Sequence, residues 1–198
     1  MAVTADMVKD LREKSGAGIM DCKEALKETD GNVDNALDYL RKKGITKASK
    51  KMGRATSEGT VGSYIHGDGG IGVLLEVNCE TDFVARNSVF KDLVQDLAMH
   101  IAAVAPTCIS PEDIPSAEIE KEREILSEEA KNSGKPENII PKIVEGRLEK
   151  FYEDKCLLRQ KFVKDPDITI DALLKVKISE LGENISVRRF VRYQLGES

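Results

Sequence analysis

The 198-residue sequence predicts an α+β fold: an N-terminal three-helix bundle, then an α+β core with a small antiparallel sheet and a helical hairpin. Three observations carry this. Up to Gly44, apolar residues recur at helical spacing in three short segments bounded by glycine turns or caps. Two runs rich in β-branched residues then flank a Gly-rich join at residues 67–70. Later, two charged segments, 117–131 and 137–153, are separated by "NSGKP", the pattern of a helical hairpin. A hydrophobic share of 40% is enough to bury a core in one or two domains.

In the first segment Thr4 reads as a helix cap, Met7, Val8 and Leu11 share a face, and the Ser15-Gly16-Ala17-Gly18 run ends the helix. The second carries Ile19, Cys22, Ala25 and Leu26 and stops at Asp30-Gly31. Asn32 caps the third, where Val33, Ala36, Leu37 and Leu40 form the stripe before Gly44. Residues 46–59 offer Lys47, Lys50, Lys51 and Arg54 but little to bury. The expected division is therefore a bundle at 1–45, a basic linker at 46–59 and a core at 60–198 that includes the hairpin 117–153.

The runs "TVGSYIH" and "IGVLLEVNCE" form a β-hairpin across Gly67-Asp68-Gly69-Gly70. A phosphate-cradling loop would lead into a helix N-terminus, whereas this join leads into another strand. The corner "NCETDFVARN" follows. On its residues alone, Thr81 or Asp82 reads as a helix cap and Phe83 as core. Val89, Phe90, Leu93, Val94, Leu97, Ala98 and Ile101 trace a broad apolar helix face ending near Pro106. In the hairpin, Ile140, Ile143, Val144, Leu148 and Phe151 stripe the second helix, which Pro141 kinks unless it lies in the first turn. A helix with Leu173, Leu174, Ile178 and Leu181 closes at Gly182. It leads into a strand with Ile185, Val187, Val191 and Tyr193 on one face and Arg188 and Arg192 on the other. Exposed strand edges predict a homodimer.

Composition narrows the chemistry. No apolar run approaches the roughly 20 residues of a membrane span. The opening residues, with Asp6, Asp10 and Glu13, fit neither a signal peptide nor an acid-poor transit peptide, so a cytoplasmic protein without membrane contact is expected. Cys22, Cys79, Cys108 and Cys156 are scattered, and only His66 and His100 supply imidazole, so reduced, structural thiols and no metal or other cofactor are expected. Residues 1–54 hold 12 Lys+Arg against 9 Asp+Glu, and the remainder 18 against 26. A basic front and an acidic back suit a basic lobe on an acidic partner surface, and a solvated charge mixture equally; dominant binding to a nucleic-acid backbone calls for a larger basic excess.

The bundle with "LREKSGAGIMDCKEAL", followed by "VNCETDFVARN", resembles the elongation factor Ts family. The resemblance continues through "AMHIAA", "EGRLEKFYED", "FVKD" and "GENISVRRFVRYQLG", in the order of the short bacterial members. It implies a ubiquitin-associated-type N-terminal module and a guanine-nucleotide exchange factor for elongation factor Tu, with no catalytic chemistry of its own. It further implies that Thr81, Asp82, Phe83 and Val84 press on the partner's nucleotide-binding domain. Phe83 would be a wedge between helices there, and Asp82 would act near the Mg²⁺ and phosphate-binding region. Ile19, Met20 and Lys23 would touch the partner from the bundle, although the spacing of Ile19 and Met20 is equally that of bundle core. His66 would lie near the partner's helices, against the plain reading of an exposed hairpin residue. Phe162 and Val163 would face another domain of the partner.

The chain departs from the family pattern in three places. Lys161 stands where proline is usual, Pro141 enters a helix normally free of it, and Val191 replaces a cysteine that cross-links some dimers. Two rival functions stand beside exchange. A ubiquitin-associated-type adaptor or weak RNA binder would use the bundle and Lys47, Lys50 and Lys51, and an enzyme would need Cys79 and Asp82 as nucleophile and base.

Overall fold

The computed structural model describes residues 3–15, 17–134 and 136–197, without the side chains of Ile45 and Lys47. The turn glycine Gly16 and the side chain of Lys47, both used in the sequence reading, thus lie outside what is described. The chain divides into two compact units. The first takes in residues up to Thr60, Val77–Leu93 and Ala172–Ser186; the second takes in Val61–Glu76, Val94–Asp171 and residues from Val187 onward.

The first unit begins with α1 (Ala5–Ser15), α2 (Ile19–Glu28) and α3 (Val33–Ser49). The two predicted caps are present: Thr4 Oγ1 accepts from Met7 N–H at 3.3 Å and Asn32 Oδ1 from Asn35 N–H at 2.9 Å. The predicted stripes meet in one core of Leu11, Cys22, Ala25, Leu26, Ala36 and Leu40, flanked by Met7, Val8, Val33 and Leu37. α3 does not stop at Gly44; it runs to Ser49 and buries Ala48, so the first residues of the 46–59 segment are helical. The glycine serves close packing here. A Cβ on Gly44 would lie 3.0 Å from the Ser179 hydroxyl of α8 (Ile170–Leu181), so contact offsets the ~1 kcal/mol that glycine costs a helix.

Strands β1 (Glu58–His66), β2 (Ile71–Cys79) and β5 (Ile185–Gln194) make a three-stranded sheet in the order β1-β2-β5. Together with the helices it gives the α+β fold with a small antiparallel sheet that the sequence predicts. β2 alternates as expected, burying Val73, Leu75, Val77 and Cys79. β5 does not keep its phase. Ile185 and Val187 are buried, but Arg188 and Arg189 are both exposed, and beyond them Val191 and Tyr193 face solvent while the Arg192 side chain is 12% exposed. Arg192 can turn inward because its guanidinium is satisfied by Ala102 O at 3.3 Å and Glu197 at 2.9 Å. The sequence reading puts Val191 and Tyr193 on one face with Ile185 and Val187 and does not foresee that this face is covered only at the start of the strand.

Within the second unit, α6 (Ser116–Asn132) and α7 (Ile140–Lys155) pack through Leu126, Ala130, Ile140, Val144 and Leu148. Cross-helix ion pairs join Arg147 to Glu129 at 2.6 Å, Lys155 to Glu118 at 2.7 Å, and Arg123 to Glu145. Pro141 is the second residue of α7, where its missing N–H removes no helical bond, so no kink arises. A second, unforeseen ribbon pairs β3 (Lys161–Phe162) with β4 (Asp165–Thr169). Among the described residues no helix is long and apolar enough to cross a membrane.

Candidate partner-binding site

The corner after β2 is held by side chains more than by its own helix. The buried Cys79 thiol donates to Thr81 O at 3.2 Å, and burial, with Glu183 nearby, pushes that thiol up to about 11. A buried thiol held in its protonated form makes a poor nucleophile, which removes the main support for an enzyme built on Cys79 and Asp82. Thr81 N–H donates to Glu183 Oε2 at 3.0 Å and its hydroxyl to Glu183 Oε1 at 2.7 Å, so one carboxylate fixes both groups. The same hydroxyl accepts from Val84 N–H at 3.4 Å, making Thr81 the N-cap of α4 (Asp82–Arg86). Beside it, Glu80 Oε1 accepts from Asn184 N–H at 2.6 Å, Asn184 Nδ2 donates to Arg54 O at 2.8 Å, and Arg54 lies 3.6 Å from Glu80.

α4 ends after five residues because Asn87 takes an extended conformation, and its Oδ1 accepts from Val89 N–H at 2.8 Å at the start of α5 (Ser88–Val104). In so short a helix, Val84 and Ala85 point inward and are buried. The opposite face must then carry Asp82, Phe83 and Arg86. Asp82 and Arg86 pair at 3.1 Å, and the Phe83 ring is 83% exposed. The cap reading therefore holds for Thr81 and the core reading fails for Phe83. The Phe83 ring thus lies in water on an anchored corner, and covering a ring of this size is worth roughly 1.5–3 kcal/mol.

The other sequence-predicted residues divide by exposure. Ile19 and Met20 are on the surface of α2, Met20 at 74%, so neither is bundle core, and Lys23 is exposed beside them. Ile19 and Lys23 join Val3, Val8, Lys9 and Arg12 in lining a depression of about 390 Å³, a mixture of apolar and basic side chains. His66 is exposed at the end of β1, its Nδ1 3.1 Å from the Tyr64 hydroxyl. Val163 is exposed, but Phe162 and Val84 are buried in their own chain, so neither offers its side chain to a partner.

Glu183 and Asn184 escape the sequence reading, and His100 enters it only as a possible imidazole, without its buried place. His100 is fully buried, with Nε2 3.1 Å from Gln160 Oε1 and Nδ1 accepting from Val163 N–H at 3.3 Å. The Gln160 amide is oriented by its Nε2 donating to Asp154 O at 2.9 Å, which makes His100 Nε2 the protonated nitrogen. Burial holds this imidazole below its ordinary range, against the opposing effect of Gln160. The only sequence signal for Glu183 and Asn184 is their place in "LGEN", directly after the glycine that ends α8.

Comparison with known proteins agrees along the whole length. The sequence model of the family described as "Elongation factor TS" matches residues 5–197. Elongation factor Ts of Alkaliphilus oremlandii is 59% identical over 197 residues, covering 100% of this chain and 91% of that protein. The Geobacter sulfurreducens protein of the same name is 58% identical, with the same coverage, and that of Fervidobacterium nodosum is 55% identical over 100% of both chains. On this evidence the chain belongs to the elongation factor Ts family.

Proposed function

We propose that this chain is a guanine-nucleotide exchange factor that binds elongation factor Tu·GDP and promotes GDP release by disturbing the Mg²⁺ and phosphate-binding region, without covalent chemistry of its own. The observation that carries the reading is Phe83: 83% exposed, next to Asp82, on a corner fixed by Glu183. Thr81 and Val84 set the corner's shape, and Ile19, Met20, Lys23, His66 and Val163 add surface contacts. Phe162 acts from beneath Val163. The division into bundle, linker and core at 1–45, 46–59 and 60–198 is the working organisation, and the cytoplasm is the site of action.

Exchange follows from differential binding. A factor that binds the nucleotide-free partner more tightly than the GDP-bound one weakens GDP by the same factor that GDP weakens it. Covering Phe83 only when the partner's helices have parted supplies ~1.5–3 kcal/mol of that difference, within the usual 1–3 kcal/mol of coupling. Nucleotide rebinding then expels the factor.

Stopped-flow release of a fluorescent GDP analogue from elongation factor Tu tests this. The wild-type chain accelerates release, and Phe83→Ala and Asp82→Ala each lose a substantial part of the effect, about tenfold or more for Phe83→Ala. Full activity in Phe83→Ala removes the wedge, and no acceleration by the wild type removes the function. Self-association is the second part of the proposal. It is supported by exposed Val61 and Leu74 beside Val191 around a depression of about 360 Å³ in the sheet. Light scattering that gives a monomer at micromolar concentration would dismiss it.

A further inference from the structure

Cys108 and Cys156 lie 48 residues apart in sequence but side by side at the root of the α6–α7 hairpin. Cys108 N–H donates to Lys155 O at 3.2 Å and Leu157 N–H to Cys108 O at 2.9 Å, which makes the two cysteines partners in an isolated parallel bridge. Residues paired across such a bridge have Cα atoms roughly 4.8 Å apart, inside the ~4.4–6.8 Å range of disulfides. Their sulfurs face each other at 3.4 Å, with the Cys108 thiol donating to Cys156. Both cysteines are reduced here. Closing the pair to a bond of about 2.05 Å needs only a small side-chain movement.

Access is unequal. Cys108 is half-buried, whereas Cys156, Cys22 and Cys79 are buried. Burial and the neighbouring thiol push Cys156 up to about 12, so oxidation begins at Cys108. We propose that Cys108 and Cys156 form a peroxide-responsive dithiol–disulfide site that staples the root of the hairpin. The Cys108 thiolate attacks one peroxide oxygen, the O–O bond breaks, and the departing hydroxide takes up a proton as water, leaving a sulfenic acid at Cys108. Cys156 Sγ then attacks that sulfur, the S–O bond breaks, and the leaving hydroxide takes the Cys156 proton as a second water. Two thiols lose two electrons to one peroxide, which is reduced to two waters. Held proximity offsets the weak ionisation of Cys156.

The bond would tie the connection at Cys108 to the turn Leu157–Arg159 that leads into Gln160 and β3, so the staple braces the segment carrying Val163. The inference does not rest on the exchange reading. It is tested on the full chain with a stoichiometric amount of hydrogen peroxide, followed by alkylation in denaturant and peptide mapping.

The expected results are a loss of about 2 Da and a linked peptide pair containing Cys108 and Cys156, reversed by dithiothreitol. The loop closed contains the entire hairpin, so Tm rises by roughly 5–10 °C. Cys156→Ser halts the sequence at a Cys108 sulfenic acid trapped by dimedone, and Cys108→Ser abolishes the link while Cys156 stays reduced. Four alkylatable thiols after excess peroxide, a link between any other pair, or Cys108 sulfinic acid accumulating in the wild type overturns the proposal.

Discussion

The Thr81–Arg86 corner and the α6–α7 hairpin place their apolar residues in opposite ways. The hairpin turns Leu126, Val144 and Leu148 onto each other and leaves ion pairs outside. The corner buries only Val84 and Ala85, turns Phe83 to solvent and takes its rigidity from a carboxylate 102 residues away in sequence. The hairpin's apolar packing therefore holds the hairpin itself, whereas the corner's exposed ring contributes nothing to holding the corner. A side chain that stabilises its own chain and one left in solvent are distinguished by what anchors the backbone beneath them.

Substitutions sharpen that contrast. The largest effect expected is in the hairpin, where Leu148→Ala lowers unfolding stability by about 2–5 kcal/mol in urea titration, while GDP release measured well below Tm stays near wild type. If release falls in proportion, the hairpin is not merely self-supporting. Next is the anchor: Glu183→Ala leaves both Thr81 donors without their carboxylate, so a loss of about 1–3 kcal/mol and a clear fall in exchange are expected together. An unchanged exchange rate would mean that the corner holds its shape without it.

A smaller effect comes from His100. Its native imidazole titrates below the ordinary 6.5, so in acid the unfolded chain binds more protons than the folded one. The His100 contribution is complete above about pH 6.5 and is lost as pH falls from there through the native value. Comparing urea midpoints of wild type and His100→Gln between pH 7.5 and 5.5 isolates it, because every other titrating group is common to both; parallel curves would contradict it. Smallest of all is Phe83→Ala, which changes stability by no more than about 0.5 kcal/mol, since the ring touches little of its own chain. A large fall in Tm would restore a core role to Phe83.

The parts legible in sequence are those fixed by short-range periodicity. The stripes of α1, α2 and α3, the apolar face of α5, and the caps Thr4 and Asn32 involve residues within a few positions of each other. Illegible features depend on distant partners. Nothing local distinguishes Gly44 as a packing glycine, because Ser179 is what explains it. Alternation separates Val191 and Tyr193 from Arg192 in β5 but does not say which of them is covered; Arg192 is, because it carries enough methylene to turn inward once Ala102 O and Glu197 receive its guanidinium. β3 and β4 are too short, and "DPDIT" too turn-like, to read as a ribbon. At the corner the sequence marks Thr81 as a cap, but Glu183, which makes the cap rigid, becomes visible only in three dimensions.

The brevity of α4 has a consequence for mimicry. Five residues fall far below the ~12–15 that a helix needs to persist alone in water. A synthetic peptide copying residues 78–91 would keep the Thr81 and Asn87 caps but lose Glu183, and it would be a coil whose phenylalanine samples every direction. The proposed wedge depends on the folded chain to hold it, so a small inhibitor that imitates it has to bring a rigid scaffold of its own.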